Sequence, residues 1–121
     1  STLTDIVGQA IYDSQVPQTS TFYVLGDVFD GGGSVNGNGT AILAATPLLL
    51  WRVVKKGQIN DQQRSAALIM HTVLHNNRIA LSNGWAVSIS RERLHRRTYY
   101  DAAQNAWTET GGFYRYFVTE A

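Results

Sequence analysis

Leu3, Ile6, Val7, Ala10 and Ile11 recur at i, i+3, i+4, i+7 and i+8, which is one apolar stripe of an amphipathic helix. Thr2 with Asp5 three residues on resembles a capping box, and Asp5 suits the positive end of the helix dipole. The spacing predicts a first helix ending near Asp13-Ser14, before Val16-Pro17 forces an extended or turned backbone. Thr21-Phe22-Tyr23-Val24-Leu25-Gly26 is rich in β-branched and aromatic residues and predicts a strand. Residues 30–39 hold five glycines and two asparagines and predict a flexible loop. A second strand region runs from Thr40 to about Lys55, with a break or bulge at Pro47 because proline cannot donate to a ladder. Leu48 to Val54 is apolar apart from Arg52, so both of its faces are expected to be covered.

Gly57 closes that strand, and Asn60 with Gln63 forms a capping pair for a second helix over Asp61 to Asn76. At 100° per residue Ala66, Met70, Val73, Leu74 and Asn77 fall within about 100° of arc, flanked by Ile69. A short strand is expected at Ile79 to Leu81 and a turn at Ser82-Asn83-Gly84. Trp85, Val87 and Ile89 then alternate with Ala86, Ser88 and Ser90 as a half-buried strand does. Past that point Arg91, Arg93, His95 and Arg97 occupy the apolar positions. Either the strand runs beyond the core edge or a bulge resets it. Asp101 to Thr110 reads as a polar turn region and Gly112 to Val118 as the last strand. The order predicts one α+β domain over 1–121. It has a mixed or antiparallel sheet of about four to five strands with two helices packed on one face. Leu3, Ile6, Val7, Ala10, Ile69, Met70 and Val73 are the expected helix side of its core.

Composition narrows the function. Of the 121 residues 44% are hydrophobic and 16% charged, enough apolar material for one core and too little charge for a disordered chain. No cysteine is present, which excludes disulfides and thiolate metal sites. No apolar run approaches the roughly 18 residues that span a bilayer, so no membrane partner is expected. The first residues, Ser1 to Asp5, lack a basic or apolar leader, and the sequence reads as that of a cytosolic chain without its initiator Met. The net charge of +1 is unevenly placed. Residues 1–50 hold Asp5, Asp13, Asp27 and Asp30 and no Lys or Arg, while residues 51–121 hold all ten cations against five acids. Such asymmetry fits a nucleic-acid surface, copies that meet acidic face to basic face, or charges scattered over one mixed surface.

Catalytic constellations are missing. His71 and His75 have the i, i+4 spacing of a zinc helix, but Thr72-Val73-Leu74 between them lacks the metalloprotease Glu. Both histidines are expected on the solvent face, and no metal or other cofactor is expected. The Gly-rich loop lacks Gly-Lys-Ser/Thr and leads into no helix, so it is no phosphate loop. Gly-x-Ser-x-Gly and paired carboxylates are absent too, and the chain is not read as an enzyme. The unusual feature is Arg91-Glu92-Arg93-Leu94-His95-Arg96-Arg97. It can serve as a phosphate-binding stripe, as a protein interface, or as a solvated strand end. In the first case the aromatic strand Phe113 to Phe117 could offer stacking faces, although the RNA-recognition signature is absent.

One resemblance spans nearly the whole chain. It is carried by the opening helix, Val16-Pro17 before Thr21 to Gly26, the apolar strand ending Leu50-Trp51-Arg52-Val53-Val54, and the helix Gln63 to His75. It continues through Leu81-Ser82-Asn83-Gly84-Trp85-Ala86-Val87, the arginine-rich Arg91 to Arg97, and Tyr114-Arg115-Tyr116-Phe117-Val118. This layout resembles the tail-terminator, or tail-completion, proteins of long-tailed bacteriophages, which cap the tail tube as a ring, usually a hexamer. The resemblance implies a structural virion protein of the tail, assembled in the host cytoplasm. Its partners would be its own copies, the tail tube protein and the head–tail connector protein, with DNA passing through the lumen. It implies no catalytic residue. In a ring, the expected subunit-interface residues are Arg91, Arg93, His95, Arg96 and Arg97, opposite Asp13, Asp27 and Asp30 of a neighbour, with Tyr99, Tyr100 and Phe113 as apolar anchors. The alternative is a small nucleic-acid-binding module that uses the Arg91–Arg97 run.

Overall fold

A computed structural model of the chain describes residues 11–13, 16, 19–30, 33–35, 42–81 and 84–120. In chain order its elements are β1 (Ile11–Asp13), β2 (Phe22–Asp30), β3 (Gly33–Val35), β4 (Ile42–Ala45), β5 (Leu48–Lys56), α1 (Asp61–Leu74), β6 (Asn77–Ala80), β7 (Trp85–Tyr100) and β8 (Ala106–Glu120). All eight strands join in one sheet, ordered β1-β2-β5-β8 with β7 and then β6 beyond β8. β4 pairs with β8 at Ala45↔Val118 and with β3 on its other side.

This architecture corrects the expectation of a small α+β sheet under two helices. The chain is mostly β, and among the described residues a single helix lies on the sheet. Ile11 to Asp13, expected to finish a helix, instead pair in parallel with Val24 to Gly26. Ile11 and Tyr12 are good strand formers, and pairing with a buried strand overrides a helical spacing. Leu3, Ile6, Val7 and Ala10 lie outside the described residues. The polar turn expected over Asp101 to Thr110 shrinks to the turn preceding Ala106, since Ala106 onward belongs to β8. Asp101 holds that turn: its carboxylate accepts hydrogen bonds from the Ala103 and Asn105 backbone and from Trp107 Nε1, each at 2.9 Å. Of the loop predicted over 30–39, Gly33–Val35 forms β3 against β4. The break at Pro47 occurs as expected, between β4 and β5.

α1 begins where Asn60 caps it, with Oδ1 accepting from Gln63 N at 2.9 Å. Its buried stripe is Gln63, Ala66 and Met70. Ala66 and Met70 pack on Val24 and Val53, with Phe22, Trp51, Ala67 and Leu74 around them. Val73 is 56% exposed, contrary to expectation. The stripe is rotated toward Gln63, which sequence reading takes for a capping residue. Gln63 is fully buried: Nε2 donates to Val53 O at 3.1 Å and Thr108 O at 3.0 Å, and Oε1 accepts from Thr108 Oγ1 at 3.0 Å. One side chain thereby fastens the helix to both central strands. On the opposite face Tyr23, Leu25 and Val54 pack with Val16 and Trp107.

Candidate assembly interface

β7 is the longest strand, and its register shifts between Arg91 and Arg93. Glu92 is the extra residue of this bulge, held where Arg115 Nε and Nη2 donate to its two carboxylate oxygens at 2.9 and 3.2 Å. The Arg115 bonds hold the Glu92 carboxyl below the usual carboxylate range. Arg115 is anchored in turn by donating to Thr46 O at 2.8 Å. Both sequence-level alternatives are realised at once: the strand runs on past the core, and a bulge resets its faces.

The reset divides the arginine run. Arg93, His95, Arg97 and Tyr99 pair with Phe113, Gly111, Glu109 and Trp107 and lie on the face opposite α1. The Arg93 guanidinium sits 4.2 Å over the Phe113 ring, which is buried and also meets the edges of Phe29 and His95. The Arg97 guanidinium lies 4.6 Å over Tyr99, which stacks on Trp107. These cations rest on aromatic faces. A charged row also crosses four strands of this face. Arg52 Nη2 donates to Asp27 Oδ2 at 2.9 Å, Arg52 Nε lies 3.4 Å from Glu109 Oε1, and His95 Nε2 is 2.9 Å from the same oxygen. Arg52 Nε and Nη1 are buried without a hydrogen-bond partner among the described residues, so two carboxylates compensate its charge.

Arg91, Leu94 and Arg96 lie on the helix side. They line a groove of about 370 Å³ with Arg64, Leu68 and His71 of α1. Here the histidines depart from expectation. His71 Nδ1 shares a hydrogen bond of 3.0 Å with the Tyr114 hydroxyl, and His75 Nδ1 accepts from Arg91 N at 3.0 Å. Their rings stack 4.7 Å apart, so both face the sheet rather than solvent. Burial, then the nearby Arg91 and His75, hold His71 below its ordinary pKa. Burial raises the Tyr114 phenol, against the pull of Arg91. Among the described residues no group of three or more His, Cys, Asp or Glu could hold a metal ion.

The predicted interface residues are therefore only partly together. Arg93, His95, Arg97, Tyr99, Phe113 and Asp27 share one face; Arg91 and Arg96 are on the other, and Tyr100 is 67% exposed at the strand end. Asp27 is engaged within the chain by Arg52. Asp13 and Asp30 lie on β1 and at the end of β2. Sequence reasoning missed Arg52 and Glu109. The available signal was a lone Arg in an otherwise apolar strand, which requires a carboxylate partner.

No family model matches the sequence, and no curated protein does. The fold is shared with a chain of a solved structure of the virion of a native gene transfer agent particle. The two are 21% identical, with a TM-score of 0.64 over 96% of this chain and 84% of that one.

Proposed function

We propose that this chain is a structural virion protein that caps a phage tail tube as a homo-oligomeric ring and joins it to the head–tail connector. The observation that carries the reading is the fold shared, over 96% of this chain, with a chain of a gene transfer agent virion. The distribution of surface groups supports it. Val28, Phe29, Leu94 and Tyr100 are 59–71% exposed and leave apolar area for neighbours to cover. The arginine run does not form one cationic stripe, since Arg93 and Arg97 lie on aromatic rings and Arg91 and Arg96 point to the opposite face. That division disfavours a track for a phosphate backbone.

The test is assembly without the protein. Particles made in its absence should separate into filled heads and unattached tails with irregular ends, and antibody against the chain should label the head–tail junction of complete particles. Joined, full-length particles in its absence would refute the assignment.

A further inference from the structure

Among the described residues no strand covers either lateral end of the sheet, and the two ends draw on the acidic and the basic halves of the chain, which indicates how copies would join. Arg93 to Tyr100 pair with Phe113 to Ala106 of β8 on one side. No described strand lies on their other side, because β6 covers only Ala86 to Ile89. Every second residue of that edge has an N–H and a C=O without a ladder partner. The edge is exposed on both faces: Arg93, Leu94, Arg96, Arg97, Thr98 and Tyr100 are all exposed, Leu94 at 71%.

Following the register across the sheet leads to the opposite end at the same level. Phe113 to Trp107 of β8 pair with Leu50 to Lys56 of β5, and Leu50 to Lys55 with Asp27 to Phe22 of β2. Beyond Val24 to Gly26 lies β1, Ile11–Asp13, with no described strand on its outer side. This end belongs to the half of the chain that has acids and no Lys or Arg. Asp13 is on β1 itself, and Asp27 and Asp30 are on β2.

Two copies of the β7 edge cannot pair comfortably with each other. Arginines would stand opposite arginines, and like charges across a strand pair are unfavourable. Glu92, the one acid of the stretch, is already held by Arg115. The acidic end of another copy satisfies the same backbone groups and the opposite charge. The strand sense agrees as well. β1 is parallel to β2, and each step from β2 through β5 and β8 to β7 is antiparallel, so β7 runs opposite to β1. A neighbour's β7 that continues the sheet therefore meets β1 in the antiparallel sense. Such a contact joins two different surfaces and repeats head to tail, as ring closure requires.

We infer that copies of this chain join by strand addition, with the Arg93–Tyr100 edge of one copy pairing antiparallel against the β1 edge, Ile11–Asp13, of the next. The inference rests on the ring reading and specifies its contact. Because the chain has no cysteine, it can be tested by introducing them. Ile11→Cys, which shares the helix face with these positions, is combined in turn with Arg96→Cys, Thr98→Cys and Tyr100→Cys, a set that covers the neighbouring registers, and the oxidised protein is run on a non-reducing gel. At least one pair should yield a ladder of covalent multimers, since facing strands bring Cα atoms within the ~4.4–6.8 Å a disulfide needs. Each single variant alone should yield none. Arg96→Glu with Arg97→Glu should abolish the oligomer in sedimentation while leaving the thermal unfolding of the subunit in place, and Asp13→Lys should restore it. An oligomer that sediments normally, cross-links in no pair and survives the charge reversal overturns the strand-addition contact and leaves the ring reading standing. Covalent dimers from Thr98→Cys alone also overturn it, because they would place β7 against β7. A chain that stays monomeric both alone and on the ends of tail tubes overturns the ring reading and this contact with it.

Discussion

Neutralising Glu109 gives the sharpest account of the charged row under β7. Its carboxylate is almost fully buried between Arg52 and His95, at 3.4 and 2.9 Å. At 3.4 Å the attraction to Arg52 is about 5 kcal/mol with an effective dielectric constant of about 20. Breaking a buried pair by removing one member typically costs about 3–5 kcal/mol, because the other charge is left uncompensated. Among the described residues two Arg52 nitrogens already lack hydrogen-bond partners, but Asp27 at 2.9 Å still shares the guanidinium. Glu109→Gln, which keeps the shape, should therefore cost about 2–4 kcal/mol. The double change Arg52→Met with Glu109→Leu should cost less than Glu109→Gln alone, since it removes both buried charges. Urea unfolding at pH 7, with unchanged m-values, measures both. If Glu109→Gln falls within about 0.5 kcal/mol of the native chain, or if the double change is the worse of the two, Arg52 is compensated by something other than this row.

Three further outcomes follow from the packing. Gln63→Ala loses three buried hydrogen bonds and opens a cavity under α1, and urea titration should show a loss of about 3–5 kcal/mol. Gly111→Ala should give little folded protein by circular dichroism, because its Cβ would overlap the Trp51 carbonyl and approach Arg52 Cα, backbone atoms that cannot step aside. His71 has a folded pKa below its unfolded value of 6.5, so the unfolded chain takes up the proton first. Its contribution is present above about pH 6.5 and is lost as the pH falls toward the folded value. His71→Gln should flatten the decline in unfolding free energy between pH 7.5 and pH 5.5, and an unaltered slope would assign that decline elsewhere.

Local signals were legible where the chain obeys one period at a time. Asn60 with Gln63 announced α1, Pro47 announced the break between β4 and β5, and the alternation from Trp85 announced β7. Three features were not legible because they depend on partners distant in sequence. Ile11 and Tyr12 continue a helical spacing until Val24 and Leu25 offer a strand to pair with. Gln63 reads as a cap residue, and only Val53 and Thr108, brought in from two strands, make it a core residue. His71 and His75 fall outside the apolar stripe of their own helix, yet Arg91, in the middle of β7, and Tyr114 engage them. For the candidate interface, the arginine run was visible, but its division between two faces was not. The change of pattern at Arg91 allowed for a bulge, but nothing in the order Arg91 to Arg97 says which residue the ladder skips.

That skipped residue makes the chemistry of the strand depend on counting. Every side chain from Arg93 to Tyr100 owes its address to the ladder skipping Glu92. Deleting Glu92 would bring Arg93 directly after Arg91 and still opposite Phe113, so the ladder would close with every later side chain on its present face. Pairing Glu92 in the ladder instead, with no bulge, would send Arg93, His95 and Arg97 toward the helix and Leu94 and Arg96 toward Asp27 and Glu109. Position-by-position comparison of this chain with its structural neighbours must therefore be anchored on the bulge. An alignment that misplaces a single gap there exchanges the inside and outside of the next eight residues.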